Sequence, residues 1–299
     1  MDIEVKPPIL YVSTPGRWVH FWWLLRRACM AAYEDNCFEI AKGAAYSGLL
    51  SFFPVLTTTA AILVQIKATP VTHVLSLLLA EVVPPVSERI VLDRFVQGQR
   101  PAALLVAATA ISVWAASSMM LSLMHGFAAA YRIPTGRPFL QQRAMAIVLV
   151  FSAALPVVGA SALILFGTRA EQSILHWAGL VPAGLELRGW VEVLGRVLRY
   201  TIAVGSIVLV SSLLYYFGPN RRQRWSGMWP GAFLGTVLWL FGTTAFAWYV
   251  RNIANYNVLY GSIGAVIALL IWMYFLAVVA LIGCEFNVAW ERRAQLEGP

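Results

Sequence analysis

The spacing of the charged residues constrains this fold more than any other feature of the chain. Only 12% of the 299 residues are charged, and six windows of 21 residues or more carry no Asp, Glu, Lys or Arg: 43–66, 101–131, 144–168, 200–220, 225–250 and 252–284. A helix rises about 1.5 Å per residue, so about 20 apolar residues cross the roughly 30 Å of bilayer hydrocarbon. The pattern predicts an all-α, polytopic membrane protein with six transmembrane helices. The last of them starts near Gly261, after the polar lead-in Asn252 to Tyr260. A water-soluble globule that is 60% hydrophobic could not cover its surface with so few charges, and a disordered chain would be polar.

The expected organisation is an interfacial N-terminal segment over 1–43, a six-helix domain over 44–290 and a tail over 291–299. The first 20 residues carry Asp2, Glu4 and Pro7-Pro8 with no long apolar run, so no cleavable signal peptide is expected. Alternate loops divide the Lys and Arg residues 13 to 9. The short loops decide the orientation, because they obey the positive-inside rule best. Arg132, Arg137 and Arg143, and again Arg221, Arg222 and Arg224, have no acidic neighbour in their loops. Both termini and these two loops are therefore placed in the cytoplasm. The net charge of +8 follows from topology rather than from a nucleic-acid site, and anionic lipid headgroups are the expected partners of these arginines. Cys29, Cys37 and Cys284 all fall on that side, so no disulfide is expected, and their spacing does not suit zinc.

Within this frame, residues 17–42 read as an interfacial helix, with Trp18, Trp22 and Leu25 at helical spacing. The first span holds Pro54 near its middle and is unusually polar, with Ser47, Ser51 and Thr57 to Thr59. A mid-helix proline kinks a helix, which serves packing or lines a cavity. Pro156 poses the same choice in the third span. The segments 67–100 and 169–199 read as amphipathic helices on the outer surface. Gly227, Gly231 and Gly235 form a double G-x-x-x-G, which permits close helix contact within the chain, the favoured reading, or between copies in a homo-oligomer. Trp114-x-x-Ser117-Ser118 and Trp239-x-x-Gly242-Thr243-Thr244 would correspond in a three-plus-three repeat, but the match is too short to carry one.

The residues offer little catalytic chemistry. The four histidines form no H-x-x-x-H or H-E-x-x-H pattern, and no nucleophile–base pair, paired carboxylate or Walker A sequence stands out. No cofactor, metal or enzymatic activity is expected. Glu285, at the inner end of the last span, needs a partner or water at that depth. Arg143, Arg221, Arg222 and Arg224 lie at the same level, so an ion pair locking that helix to a loop is expected; the functional alternative is a proton, cation or headgroup contact.

The chain resembles the YihY/BrkB family of bacterial inner-membrane proteins, long mislabelled as ribonuclease BN. The resemblance rests on Ala44-Ala45-Tyr46-Ser47 with Leu50-Ser51-Phe52-Phe53-Pro54, on Gly218-Pro219-Asn220-Arg221-Arg222 with Trp229-Pro230-Gly231-Ala232, and on Tyr260-Gly261-Ser262-Ile263-Gly264 with Gly283-Cys284-Glu285-Phe286-Asn287. Cys284 stands where the family usually has alanine, and Phe286 where it usually has leucine. The resemblance implies six spans with cytoplasmic termini in the inner membrane, and it supplies no settled activity. Hydrolysis of RNA wants positioned acid, base or metal ligands in water, whereas the polar residues here sit in or beside lipid.

The expectation that follows is passive or ion-driven transport of a lipid or amphipathic envelope component, without ATP. Tyr46, Ser51 and Pro54 would line the route, and Arg221, Arg222 and Glu285 would guard its inner mouth. Asn220, Tyr260 and Asn287 complete the candidate contacts, and Gly227, Gly231, Gly235, Gly261 and Gly264 the packing positions. The alternatives are an ion-coupled small-molecule exporter and a non-transporting scaffold for envelope assembly.

Overall fold

The computed structural model describes residues 17–65, 102–133, 137–177, 189–252 and 262–297. Seven α-helices account for most of them: α1 (Arg17–Glu34), α2 (Cys37–Gln65), α3 (Ala102–Ala130), α4 (Phe139–Trp177), α5 (Gly189–Phe217), α6 (Trp229–Asn252) and α7 (Ser262–Glu297). A short 3-10 turn, Trp225–Gly227, precedes α6. Among the described residues there is no strand.

Among the described residues, five stretches are long and apolar enough to cross a membrane: Val106–Ala130, Phe139–Ala160, Val193–Phe217, Trp225–Asn252 and Ile263–Gln295. The sixth expected span is α2. Its 29 residues give the length, about 43 Å. The expected outer segment 67–100 lies outside the described residues, as do Tyr260 and Gly261. Residues 169–177 and 189–199, read as outer amphipathic pieces, continue α4 and begin α5.

The single interfacial helix expected over 17–42 is instead broken. α1 ends at Glu34, Asn36 takes a left-handed φ of 55°, and α2 starts at Cys37. Asparagine tolerates this conformation better than most residues. α3 ends in a similar way, with Arg132 at φ 51°. The Ile133 amide there donates to the Ala128 carbonyl at 2.9 Å, and Arg132 to Ala129 at 2.8 Å, which closes the helix in a Schellman arrangement. Arg132 also faces Asp35 across 3.6 Å, tying the two helix ends together.

α7 is the centre of the molecule and packs against α1, α2, α3 and α6, while α4 bridges α3 and α5. The buried positions recur at helical spacing. Ala277, Leu281, Cys284 and Val288 of α7 meet Cys37, Ala41 and Ala44 of α2 and Leu123, Phe127 and Ala130 of α3. On its other side, α7 takes Leu24 and Ala28 of α1 through Phe286 and Ala289. This core gathers at the end of the bundle that carries Arg132 and Arg221. The opposite surface is apolar: Val106, Ile111, Leu155, Phe241 and Trp248 are all exposed, as spans facing lipid require.

Arg143 is not a loop residue. It lies inside α4, 8% exposed, and reaches α3.

Candidate functional site

The most closely built contact is the seam between α6 and α7. A Cβ at Gly231 would overlap the Gly283 carbonyl and lie 2.6 Å from the Asn287 amide, and a Cβ at Gly242 would overlap the Phe275 ring. Gly235 has the Tyr215 hydroxyl at 3.1 Å from where its Cβ would stand. The seam is internal to the chain, and runs along Gly231, Gly235 and Gly242. Gly227, expected as the first member of this stripe, belongs to the 3-10 turn, and a Cβ there would meet open space. The turn rotates it off the α6 face, which the four-residue period alone does not reveal. Gly264 is buried within the first turn of α7.

Asn287 fastens the seam. Fully buried on α7, it accepts a hydrogen bond from the Gly231 amide at 2.6 Å and donates to the Met228 carbonyl at 3.0 Å. It thereby satisfies one of the free amides at the start of α6. Tyr215, also buried, donates to the Ala280 carbonyl at 2.9 Å and stacks edge-on against Phe127.

Glu285 is 1% exposed. The expected ion pair with Arg143, Arg221, Arg222 or Arg224 is not formed. Instead the Cys37 thiol donates to Glu285 Oε1 at 3.6 Å. Arg221 reaches past it, pairs with Glu291 at 2.5 Å and lies 4.5 Å from the Tyr131 ring centroid. Asp35, Arg132 and Arg292 are the charges near enough to act on Glu285. Asn220 and Arg222 are exposed on the loop after α5.

That loop is held from two sides that sequence reasoning missed. Arg137 donates to the Phe217, Gly218 and Pro219 carbonyls at 3.0–3.3 Å, and Gln223 to those of Tyr215 and Tyr216 at 2.6 and 2.8 Å. Both satisfy carbonyls left free at the end of α5.

The expected route residues are not brought together. Ser51 is buried and donates to the Gly48 carbonyl at 2.8 Å within its own helix. The Pro54 carbonyl accepts from Ser112 of α3 at 2.8 Å, and Ser112 and Thr58 bond each other at 2.7 Å. Of the α2 hydroxyls, Thr58 thus joins α2 to α3, while Ser51, Thr57 and Thr59 bond carbonyls of their own helix. Tyr46 points the other way and is 62% exposed. With Lys42 and Ala45 it lines a groove of about 400 Å³, closed on the α7 side by Leu270, Ile271 and Tyr274. Lys42 stands at one end, 2.7 Å from Glu39, with two ammonium protons left over. Aliphatic side chains, two tyrosines and one lysine suit an acyl chain with an anionic headgroup. A second cleft, about 300 Å³, lies beside Arg224, Trp290 and Glu291.

The sequence of this chain matches the model of a family described as virulence factor BrkB over residues 28–299. It is 27% identical to a UPF0761 membrane protein of Laribacter hongkongensis, over 95% of this chain and 63% of that one. A UPF0761 membrane protein of Chromobacterium violaceum is 28% identical over 85% of this chain and 59% of its own. A protein of Bacillus subtilis named as ribonuclease-like is 29% identical over 62% of this chain and 65% of its own. The chain thus spans about three fifths of the length of these curated relatives. No solved structure matches it. The chain belongs to the BrkB family and is an integral membrane protein.

Proposed function

Taking that membership as the premise, we propose that the chain binds an anionic phospholipid in the groove between α2 and α7 and moves it within a bacterial inner membrane without ATP. The groove is the observation that carries this reading. Its volume, about 400 Å³, lies within the range of small-molecule sites, and its Lys42 end suits a phosphate. In this reading α2 is the sixth span, both termini are cytoplasmic, and Lys42 lies in the inner leaflet. Arg222 and Arg224, together with the nearby cleft, would meet headgroups at the same face. No enzymatic role and no nucleic-acid partner are proposed. The seam built on Gly231, Gly283 and Asn287 favours a second reading, a non-transporting scaffold, because it gives the bundle a fixed centre.

The two readings separate in proteoliposomes of phosphatidylglycerol and phosphatidylcholine. A fluorescent phosphatidylglycerol in the inner leaflet should become accessible to an external quencher faster than in protein-free vesicles. Equal rates, with the protein folded and inserted, would leave the scaffold.

A further inference from the structure

Arg143 poses a physical problem that the groove does not solve. Its Nη2 donates to the Trp114 carbonyl at 3.0 Å, its Nη1 to Ser118 Oγ at 3.2 Å, and its guanidinium carbon lies 3.8 Å from the Trp114 ring centroid. The buried Nε has no partner among the described residues. The ion pairs among those residues are Lys42–Glu39, Arg132–Asp35 and Arg221–Glu291, and Arg143 enters none of them.

Its depth follows from α3. The charge-free window 101–131 has its midpoint at 116, between the two residues that hold the guanidinium. The apolar span of α3 is Val106–Ala130, so the guanidinium, reaching in from the fifth residue of α4, stands level with the middle part of that span. A cation there is costly and pairs with an anion or serves a function. The indole face, a carbonyl and a hydroxyl reduce the cost without neutralising the charge. Trp114 itself is 55% exposed on the outer surface of the bundle. A cation with no counter-charge, held behind an aromatic wall that faces the lipid, lacks one thing, an anion, and a shift of the Trp114 indole would admit one from the bilayer.

We propose that Arg143, with Trp114 and Ser118, forms a transient site for the phosphate of a glycerophospholipid at mid-depth, separate from the α2–α7 groove. The planar fork of an arginine suits phosphate oxygens, and a lysine would serve less well.

The test uses the full chain in nanodiscs of phosphatidylglycerol and phosphatidylcholine. Retained phosphatidylglycerol is read by native mass spectrometry in wild type, R143Q, R143K and the groove variant I271W. R143Q should lower phosphatidylglycerol affinity at one site about tenfold and R143K about threefold, both with unchanged helical content. I271W should lower affinity at the other site, so the two losses add in the double variant. Unchanged retention in folded R143Q would overturn the proposal. If R143Q does not fold, R143K decides alone, and retention equal to wild type overturns the proposal. A parallel flux measurement with inorganic phosphate separates the sources. Phosphate flux that depends on Arg143 while lipid retention does not would replace the lipid with a small anion, and would overturn the proposal as stated. Retention is read without flux, so a wild type that moves no lipid would sink the transport reading and leave this one standing.

Discussion

Asn287 of α7 closes the first turn of α6, accepting from the Gly231 amide at 2.6 Å while it donates to the Met228 carbonyl at 3.0 Å. One side chain on the central helix thus sets both the start of α6 and the register of the two helices. Replacing it with leucine, similar in size, leaves the buried Gly231 amide unpaired, at a cost of about 1–3 kcal/mol, while the Met228 carbonyl keeps the Ala232 amide at 3.1 Å. Asn287→Leu should therefore lower stability by about 1–3 kcal/mol, read as a fall in the thermal midpoint in detergent. Asn287→Asp keeps the acceptor and should lie between leucine and wild type. An unchanged midpoint for the leucine variant would remove Asn287 from the account of the seam.

The glycines of the seam are not equivalent. Gly231→Ala places a methyl group against the Gly283 carbonyl, a backbone atom that cannot swing aside. It should cost about 1–3 kcal/mol or more through overpacking. Gly227→Ala meets open space and should change stability by less than about 0.5 kcal/mol. Equal effects of the two alanines on the thermal midpoint would show that α6 and α7 do not cross at Gly231.

The thiols report orientation and burial together. Cys29 is exposed, whereas Cys37 and Cys284 are buried. Cys37 is 2% exposed and its thiol is turned to Glu285 inside the bundle, so a bulky reagent cannot reach it in the folded protein. A membrane-impermeant maleimide at pH 8 should label Cys29 in inverted vesicles and not in intact cells. Cys37 should react only after unfolding. Labelling of Cys29 in intact cells would invert the proposed topology.

The hydroxyl contact between α2 and α3 predicts a graded effect. Ser112 donates to the Pro54 carbonyl, and Ser112 and Thr58 share a hydrogen bond. Hydrogen bonds between spans average about 0.6 kcal/mol in double-mutant cycles. Thr58→Val and Ser112→Ala should each lower stability by about 0.5–1.5 kcal/mol, and the double variant by less than their sum. Strict additivity would mean that the two hydroxyls do not meet.

Much of the architecture was legible because charge is expensive in hydrocarbon: windows without charges became the helices α3, α5, α6 and α7 with ends shifted by a few residues to about a turn, and by more at the start of α5 and the end of α7. The same rule misplaced Arg143. A window cut at every charge cannot see an arginine held inside by an indole face, a carbonyl and a hydroxyl, so α4 was read as starting five residues late. The depth of Glu285 calls for a partner or water, but not for the Cys37 thiol that it meets. Arg221 sits at the right level and is drawn away by Glu291 and Tyr131, a choice made by side-chain reach that spacing does not encode. The polarity of α2 is visible in Ser47, Ser51 and Thr57 to Thr59. That Thr58 alone of these meets α3 is not, because hydroxyls on several sides of a helix form no single polar stripe. The break at Asn36 had a signal in Asp35-Asn36, a pair suited to a left-handed turn.

The central claim is that the α2–α7 groove holds an anionic phospholipid. The measurement that tests it most directly is an electron-microscopy structure of the full chain in nanodiscs containing phosphatidylglycerol, with the map inspected between Lys42, Tyr46, Leu270 and Tyr274. The account predicts continuous density for an acyl chain along Leu270 and Ile271, ending in a headgroup at the Lys42 ammonium, and its loss in Ile271→Trp. A wild-type map with the neighbouring side chains well resolved and the groove no different from the surrounding bilayer would contradict it.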